Sequence, residues 1–399
     1  MSVVNGLLTQ QAVLAARLAA AICAGVLLQC LGTAACAAAG MSGQTTLAPL
    51  AETTSTKRLD AKDLAVIVNV TDPLSVAIAD YYLKRRAIPS ANVARVRFDY
   101  ERDALPQEEF EALRAAVERQ LPRQVQAYAL TWSRPYRVGC MSITSAFTFG
   151  VNEEVYCTPG CKPTRRSPYF NTSNARPYDK FGMRPAMSIA ASDIAHAKAL
   201  IDRGVRSDGL APAGTAYLVV TQDGLRNVRA DEYPLALRVA QHEFKFRVVS
   251  GEAPADPTDV MFYFTGARRV AGILGDHFLP GAVADHLTSF GGMLTDSPQM
   301  SSLEWLEAGA TGSYGTVVEP CNLPEKFPDV PVLLAHYLGG ETLIEAYWKS
   351  VLMPGQGLFI GEPLAAPFAK HPSRRATASG NQDAGGTAAD STANYLFRQ

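Results

Sequence analysis

The sequence predicts an α/β protein with a mainly parallel sheet flanked by helices. Residues 64–70 (LAVIVNV) form a continuous apolar run, which is typical of a strand buried on both faces. Asp72-Pro73 then supplies a cap and a first-turn proline for a helix that runs to Arg85-Arg86. Strand and helix patterns continue to alternate through residue 132 and again from residue 192. This alternation predicts parallel strands joined by right-handed crossovers.

The remaining elements follow from the same two periodicities. Residues 93–98 alternate as a strand does, and the apolar residues between 106 and 121 recur at helical spacing. Further strands are predicted at residues 125–132, 215–221, 260–264, 291–294 and 311–318. Further helices are predicted at residues 192–203, 231–246, 300–308 and 330–351.

The α/β pattern fails between residues 133 and 184. This segment is rich in Pro, Tyr and Phe, and flexible linkers lack so many aromatic residues. We therefore predict an ordered, loop-rich, cysteine-containing insertion in a single domain that spans residues 61–370. Residues 40–60 and 371–399 are rich in small and polar residues, so we predict a disordered lead-in and a disordered tail.

The N-terminus has the features of a secretory signal peptide over residues 1–39. Arg17 precedes an uncharged apolar stretch at residues 18–28, and Ala37-Ala38-Ala39 offers a signal-peptidase site. The alternatives are a retained membrane anchor and a lipoprotein attached through Cys36. We expect cleavage, which leaves a periplasmic or extracellular protein without a further membrane span.

Charge and composition exclude two broad classes of protein. The 399 residues include 37 basic and 38 acidic side chains, so nothing indicates a basic nucleic-acid-binding surface. The chain is 47% hydrophobic and 19% charged, which excludes wholesale disorder. A sequence of this composition and length can bury one large core or two ordinary ones.

Four cysteines remain after signal cleavage, because three of the seven lie before residue 40: Cys140, Cys157, Cys161 and Cys321. In an oxidising compartment they can form two disulfides in three alternative connectivities. We predict a disulfide between Cys157 and Cys161 across the Pro159-Gly160 turn, in preference to a zinc site. No metal or cofactor is predicted, since phosphate-loop, dinucleotide and Gly-x-Ser-x-Gly motifs are absent from the sequence.

Polar residues follow several predicted strands and define a candidate ligand site. Asp223, Arg268, Asp296 and Glu319 follow different strands, and ligands of open parallel sheets bind at the carboxyl ends of strands. We therefore expect these four side chains around one crevice that holds a polar ligand.

A second group of residues has the types that catalysis uses. Asp285, His286 and Ser289 precede the glycine pair 291–292, and carboxylate, imidazole and hydroxyl can act together when they lie within hydrogen-bond distance. In a strand, however, Asp285 and His286 face opposite sides. Cys321 is either a reactive thiol beside the crevice or an inert residue behind Pro320. A structural network is the alternative for the whole group.

Five segments resemble an uncharacterised family of exported bacterial proteins. The likeness covers roughly residues 60–370 and rests on residues 64–69 (LAVIVN), 140–147 (CMSITSAF), 285–292 (DHLTSFGG), 304–316 (EWLEAGATGSYGT) and 361–364 (GEPL). The resemblance implies membership and no particular activity.

A more distant resemblance is to caspase-like folds, especially gingipain-type peptidases. Those proteins end with a helix pair, an Ala-Gly-Ala-rich strand and a Gly-Asp-Pro motif, which is similar to Gly361-Glu362-Pro363 here. Their catalytic His follows one strand as His-Gly, and their Cys follows the next strand. This chain has Thr265-Gly266 and Thr288-Ser289-Phe290 at these places. The resemblance therefore implies a caspase-like fold without the peptidase dyad.

Three functional hypotheses follow. The first is an exported caspase-like domain that binds a ligand or partner through the strand ends. The second is an active hydrolase that uses His286 with Ser289 or Cys321. The third is a structural or assembly protein of the cell envelope that makes contact through residues 133–184.

Overall fold

The computed structural model describes residues 58–157, 161–240 and 244–370, and these described residues belong to one compact unit. The expected signal peptide, the expected tail and all but the last three residues of the expected lead-in lie outside the described residues. None of the described helices has the length and apolar character needed to cross a bilayer.

Within the described residues, ten strands form one sheet in the order β2-β1-β4-β7-β13-β12-β11-β10-β8-β9, and β3-β5-β6 form a small second sheet. The strands are β1 Leu64–Asn69, β2 Val93–Val96, β3 Ala104–Leu105, β4 Ala127–Leu130, β5 Arg137–Val138, β6 Met141–Ser142, β7 Ala186–Ser188, β8 Thr215–Val220, β9 Lys245–Ser250, β10 Val260–Gly266, β11 Phe278–Leu287, β12 Gly312–Thr316 and β13 Gly357–Gly361. All neighbours in the large sheet run parallel except β12 and β13. The predicted α/β class with a mainly parallel sheet is confirmed.

The single antiparallel pair divides the large sheet into two parallel halves. Strands β2, β1, β4, β7 and β13 form the first half-sheet, and β12, β11, β10, β8 and β9 form the second. Because the halves meet antiparallel, the carboxyl ends of their strands lie at opposite edges of the sheet. The strand-end candidates Asp223, Arg268, Asp296 and Glu319 all follow strands of the second half-sheet.

The helices of the described residues begin and end with local signals that the sequence carries. They are α1 Pro73–Arg86, α2 Gln107–Gln120, α3 Ile143–Phe149, α4 Glu153–Tyr156, α5 Pro177–Phe181, α6 Ile194–Ser207, α7 Tyr233–Ala240, α8 Leu303–Ala308, α9 Val330–Leu338 and α10 Leu343–Ser350. Asp72 caps α1 by accepting the amide of Leu74 at 2.9 Å. Asp193 and Asp329 cap α6 and α9 in the same way.

Three predicted elements differ from the observed ones. The helix expected over residues 330–351 is two helices, since Gly340 has a φ of 91° that a continuing helix does not allow. The helix expected over residues 231–246 gives way to β9 from Lys245. The strand expected at residues 291–294 is a series of turns.

In the described residues of the expected insertion (133–157 and 161–184), short helices and strands alternate with loops, and aromatic side chains such as Tyr136, Phe147 and Tyr169 are buried. Its cysteines do not pair as expected. Disulfides join Cys140 to Cys157 and Cys161 to Cys321, so the predicted bond between Cys157 and Cys161 is wrong.

The observed pairing has a local cause. The carboxylate of Glu153, at the start of α4, accepts the amide of Cys140 at 3.2 Å. This contact holds α4 beside the β5–β6 turn and places the Cα atoms of Cys140 and Cys157 5.9 Å apart. Cys161 is then left for Cys321 in the loop after β12, at a Cα separation of 5.4 Å.

Candidate functional site

A cavity of about 300 Å³ opens at the carboxyl ends of the second half-sheet. Its walls come from the segments that follow β8, β11 and β12, together with Cys161 of the insertion. The polar part of the lining is Arg226, Thr288, Ser289, Glu319 and Asn322, and the apolar part includes Leu225, Leu287 and Phe327. A volume of this size is at the lower end of those that hold small organic ligands.

Arg226 is held in a chain of hydrogen bonds at the cavity wall. Its Nη1 donates to Asp223 Oδ2 at 2.8 Å, and its Nε donates to Thr288 Oγ1 at 3.1 Å. Thr288 Oγ1 in turn donates to Gln299 Oε1 at 2.5 Å. The guanidinium is therefore fixed in place before any ligand binds, which reduces the conformational entropy lost on binding.

Ser289 presents a free hydroxyl to this cavity. Its carbonyl accepts the Thr316 hydroxyl at 2.9 Å, which fixes the loop after β11. Among the residues that the structure describes, none hydrogen-bonds to the Ser289 hydroxyl. A serine becomes a nucleophile only when a base lies within hydrogen-bond distance. The arrangement therefore suits a hydroxyl that binds a ligand and does not suit a nucleophile.

Glu319 and Cys321 form the wall that follows β12. Glu319 is exposed, and its Oε1 accepts the amide of Cys321 at 2.8 Å. Cys321 has a φ of 58°, so the chain turns sharply here. The sulfur of Cys321 is bonded to Cys161, which corrects the expectation of a reactive thiol and agrees with the alternative of an inert residue.

Asp285 lies in the protein core and not in the cavity. Asp285 Oδ1 lies 2.6 Å from Arg229 Nη1, and both side chains are 1% exposed. Burial raises the pKa of Asp285, and the nearby guanidinium of Arg229 opposes that rise. The pair is a structural ion pair under the site.

His286 points to the other face of β11, as strand alternation predicts. Trp305 Nε1 donates to His286 Nδ1 at 2.9 Å, so His286 Nε2 carries the proton and donates to the Met300 carbonyl at 3.1 Å. Burial lowers the pKa of His286 to about 4. With both nitrogens engaged, this imidazole has no lone pair to offer Ser289 or Cys321. The expected dyads of His286 with Ser289 or Cys321 are not formed.

The four residues expected around one crevice do not all meet. Glu319 lines the cavity. Asp223 does not line it, but accepts a hydrogen bond from Arg226, which does. Arg268 donates to the carbonyl of Pro298 at 3.1 Å, and Asp296 accepts the Tyr136 hydroxyl at 2.6 Å, so both lie outside the lining. The cause is the loop after β11, which turns at residues 290–299 and carries Asp296 towards the insertion instead of continuing as a strand.

The sequence analysis did not single out Arg226 as a residue of the site. A usable signal for Arg226 existed, because it stands three residues after Asp223 in the turn that follows β8, where the two charges can pair. Within the described residues, no group of three or more His, Cys, Asp or Glu side chains is arranged to hold a metal ion.

No family model matches the chain, and no curated protein matches it. Among solved structures, the complex of the RgpB pro- and mature domains from Porphyromonas gingivalis is similar at a TM-score of 0.44 and 9% identity, covering 76% of this chain and 79% of that chain. A protease structure is similar at a TM-score of 0.40 and 9% identity, covering 77% and 78%. No site residue is transferred from them.

Proposed function

We propose that this protein is an exported α/β domain without peptidase activity that binds a small polar ligand in the cavity at the ends of β8, β11 and β12. The observation that carries the proposal is the convergence of a fixed guanidinium, a free hydroxyl and a carboxylate on one cavity. These groups belong to Arg226, Ser289 and Glu319.

The lining favours a ligand that carries both signs of charge. A guanidinium binds carboxylate groups, and the Glu319 carboxylate binds an ammonium group. The hydroxyl of Ser289 and the amide of Asn322 can each donate and accept hydrogen bonds. Leu225, whose side chain is largely exposed, offers apolar contact at the cavity. Free amino acids and short peptides have this combination of groups.

Export is supported by the cysteine chemistry. Two disulfides use all four cysteines of the described residues, and disulfides persist in oxidising compartments. The bond between Cys161 and Cys321 also fixes one wall of the cavity to the insertion. An oxidising location would therefore help to keep the proposed binding site formed.

The local contacts favour binding over hydrolysis. His286 has both nitrogens in hydrogen bonds, and Cys321 has no thiol. Treating the intact protein with a fluorophosphonate and with a thiol alkylating agent under non-reducing conditions should label neither Ser289 nor Cys321. Stoichiometric labelling of Ser289 by the fluorophosphonate would establish an activated serine and contradict the proposal.

Binding is tested by thermal unfolding of the full chain with a panel of free amino acids and dipeptides at fixed pH and ionic strength. A ligand that binds the folded state raises Tm in a concentration-dependent way. We expect at least one dipeptide to do so, and Glu319→Gln and Ser289→Ala to weaken its binding by about fivefold or more, as the loss of one hydrogen bond or charge does.

The matched control is Glu325→Gln, which removes an exposed carboxylate nearby in sequence that does not line the cavity. It should leave the Tm shift unchanged. A panel that produces no Tm shift, or variants at Ser289 and Glu319 that bind as tightly as the control, would refute the proposed site.

A further inference from the structure

A second cavity, of about 280 Å³, lies beside the start of β4 and is separate from the site at the strand ends. Helices α2, α3 and α5 and the segment before β7 surround it. Its charged and hydroxyl-bearing lining consists of Arg114, Glu118, Arg123, Tyr128, Thr148, Tyr178 and Arg184. The proposed function uses none of these residues.

The lining of this cavity carries more positive than negative charge, with three arginines and one glutamate. Arg114 Nη2 lies 3.2 Å from Glu118 Oε1, and this is the ion pair within the lining. Arg123 and Arg184 form no salt bridge with any residue in the described parts of the chain. Three guanidiniums therefore share one carboxylate in a confined space, and an anion would offset their mutual repulsion.

The guanidinium of Arg184 is fixed in place and has no carboxylate partner among the described residues. Its guanidinium carbon lies 3.3 Å from the centroid of the Tyr178 ring, and its Nε donates to the Val125 carbonyl at 2.9 Å. Its guanidinium also faces the Tyr128 hydroxyl, and no carboxylate of the described residues forms a salt bridge with it. A planar guanidinium held in this way presents two parallel N–H donors, which suits bidentate binding of an oxyanion.

Arg114 adds a second oriented guanidinium. Its Nε is buried and has no hydrogen-bond partner among the described residues. Gly150 lies against it, since a Cβ atom at that position would be 2.9 Å from Arg114 Nη1. Gly150 also has a φ of 81°, so a larger residue here would be strained and would displace the guanidinium.

We propose that this cavity binds a phosphoryl group, either as free phosphate or as a small phosphate ester. The tetrahedral dianion offers acceptor oxygens to several guanidiniums at once, and the buried Tyr128 side chain provides a hydroxyl at the cavity wall. Tyr178 gives the organic part of an ester an aromatic surface to contact.

Isothermal titration calorimetry on the full chain tests the proposal. Inorganic phosphate and glycerol 3-phosphate are titrated separately, in a buffer free of other oxyanions and at constant ionic strength, because salt screens these interactions. We expect saturable binding of at least one of them. The tighter of the two identifies free phosphate or an ester as the source of the phosphoryl group.

The variants separate specific binding from general charge. Arg123→Gln and Arg184→Gln should each weaken binding about tenfold, and Arg184→Lys should retain only part of the affinity because it loses the planar fork. Glu118→Gln should strengthen binding by removing the competing carboxylate. Arg119→Gln is the matched control, since Arg119 is exposed on α2 and does not line the cavity.

Two outcomes would overturn the phosphoryl site: no saturable heat with either ligand, or equal affinities in the Arg123, Arg184 and Arg119 variants. Arg123 is exposed and Arg123→Gln removes no salt bridge within the described residues, so this variant should fold even if Arg184→Gln does not. Thermal unfolding of each variant confirms that it is folded before titration.

Discussion

At the scale of single residues, Asp285 and His286 show where sequence patterns stop being informative. Strand alternation predicted that the two side chains face opposite sides of β11, and they do. Their partners could not be predicted, because Arg229 and Trp305 are distant in the chain or on another element. Asp285 and His286 are residue types that catalysis uses, but here they contact Arg229 and Trp305 inside the core.

Protonation of His286 gives a direct test of that structural role. Burial lowers the pKa of His286 to about 4, whereas an unfolded histidine has a pKa of about 6.5. Its ring signals in NMR spectra should therefore stay constant from pH 8 to pH 5.5, and they should titrate near pH 6.5 in urea. A His286→Gln variant assigns the signals, and a shift near pH 6.5 in the folded protein would contradict the buried arrangement.

The same pKa difference predicts how His286 affects stability. The unfolded imidazole takes up a proton near pH 6.5 and the folded one near pH 4, so acidification through this window favours the unfolded chain. The contribution is on the order of 3 kcal/mol, because one pKa unit corresponds to about 1.4 kcal/mol.

The ion pair of Arg229 and Asp285 makes a second prediction at this scale. Asp285→Asn leaves a buried guanidinium without a counter-charge, and removing one partner of a buried pair costs about 3–5 kcal/mol. Urea unfolding should show this loss. Glu109→Gln, which breaks an exposed pair with Arg102, is the control and should change the free energy of unfolding by less than about 1 kcal/mol. Equal losses in the two variants would show that the buried pair has no special role.

At the scale of elements, helices and buried strands with strong periodicity were predictable and short, irregular ones were not. Strand β1 and helix α1 agree closely with their predicted spans. Strands β7 and β13 were missed, since three to five residues carry too little periodicity. The first two residues of strand β9 (KFRVVS) were assigned to a helix and its other four to no element, because its polar edge position breaks the apolar pattern of the other strands. The disulfides were misassigned because spatial neighbours decide the pairing.

The two disulfides close loops of different length, which predicts different effects on stability. Sequence separations are 17 for Cys140–Cys157 and 160 for Cys161–Cys321. Loop-closure entropy gives about 3 and about 5 kcal/mol respectively. Urea unfolding of Cys161→Ser/Cys321→Ser should therefore show a larger loss than Cys140→Ser/Cys157→Ser.

Because Cys161 and Cys321 line the proposed ligand cavity, their double variant should also lose any ligand-induced rise in Tm. The double variant at Cys140 and Cys157 is the control and should keep that rise. The reverse order of stabilities, or retained binding without the Cys161–Cys321 bond, would contradict this role.

The N-terminus of α9 holds two carboxylates and should respond to alkaline pH. Glu232 accepts the Val330 amide at 3.1 Å, and Asp329 accepts the Val332 amide at 2.9 Å. Burial and the charge of Asp329 raise the pKa of Glu232 to about 8, from 4.5 in the unfolded chain. Stability from the protonated carboxyl is fully present below pH 4.5 and is lost as pH rises through 8.

Glu232→Gln should therefore unfold like the wild type at pH 5 and be more stable by about 4 kcal/mol at pH 9, since the amide keeps the acceptor without the charge. Urea unfolding at both pH values measures the difference. Glu325→Gln, which removes an exposed carboxylate outside this cap, is the control. A Glu232→Gln variant that is equally stabilised or destabilised at both pH values would refute the raised pKa.

At the scale of the whole molecule, the arrangement of the two half-sheets decides where ligands can bind. Parallel strands were predictable, but the antiparallel contact of β12 with β13 joins segments that no local pattern connects. Within the second half-sheet, the parallel pairing of β11 with β12 brings Ser289 and Glu319 to one cavity. Of the four residues expected around one crevice, Glu319 lines this cavity, and Arg268 and Asp296 lie outside its lining.

The strand order also predicts how unevenly the molecule resists unfolding. Strand β13 is buried along its whole length between β7 and β12, whereas β9, within the described residues, pairs with β8 alone and has four exposed and two half-buried residues. Edge strands with exposed backbone open at lower free energy than central ones. Hydrogen exchange measured by mass spectrometry should show the amides of Lys245–Ser250 exchanging well before those of Gly357–Gly361.

Strand β8 is the internal control for this experiment, since it has the same length as β9 but neighbours on both sides. Its amides should be protected nearly as long as those of β13. Protection of β9 equal to that of β8 would mean that something covers this edge in solution. Because β9 carries Lys245 and Arg247, charges that oppose edge-to-edge pairing with another copy, we expect the edge to remain open and to exchange first.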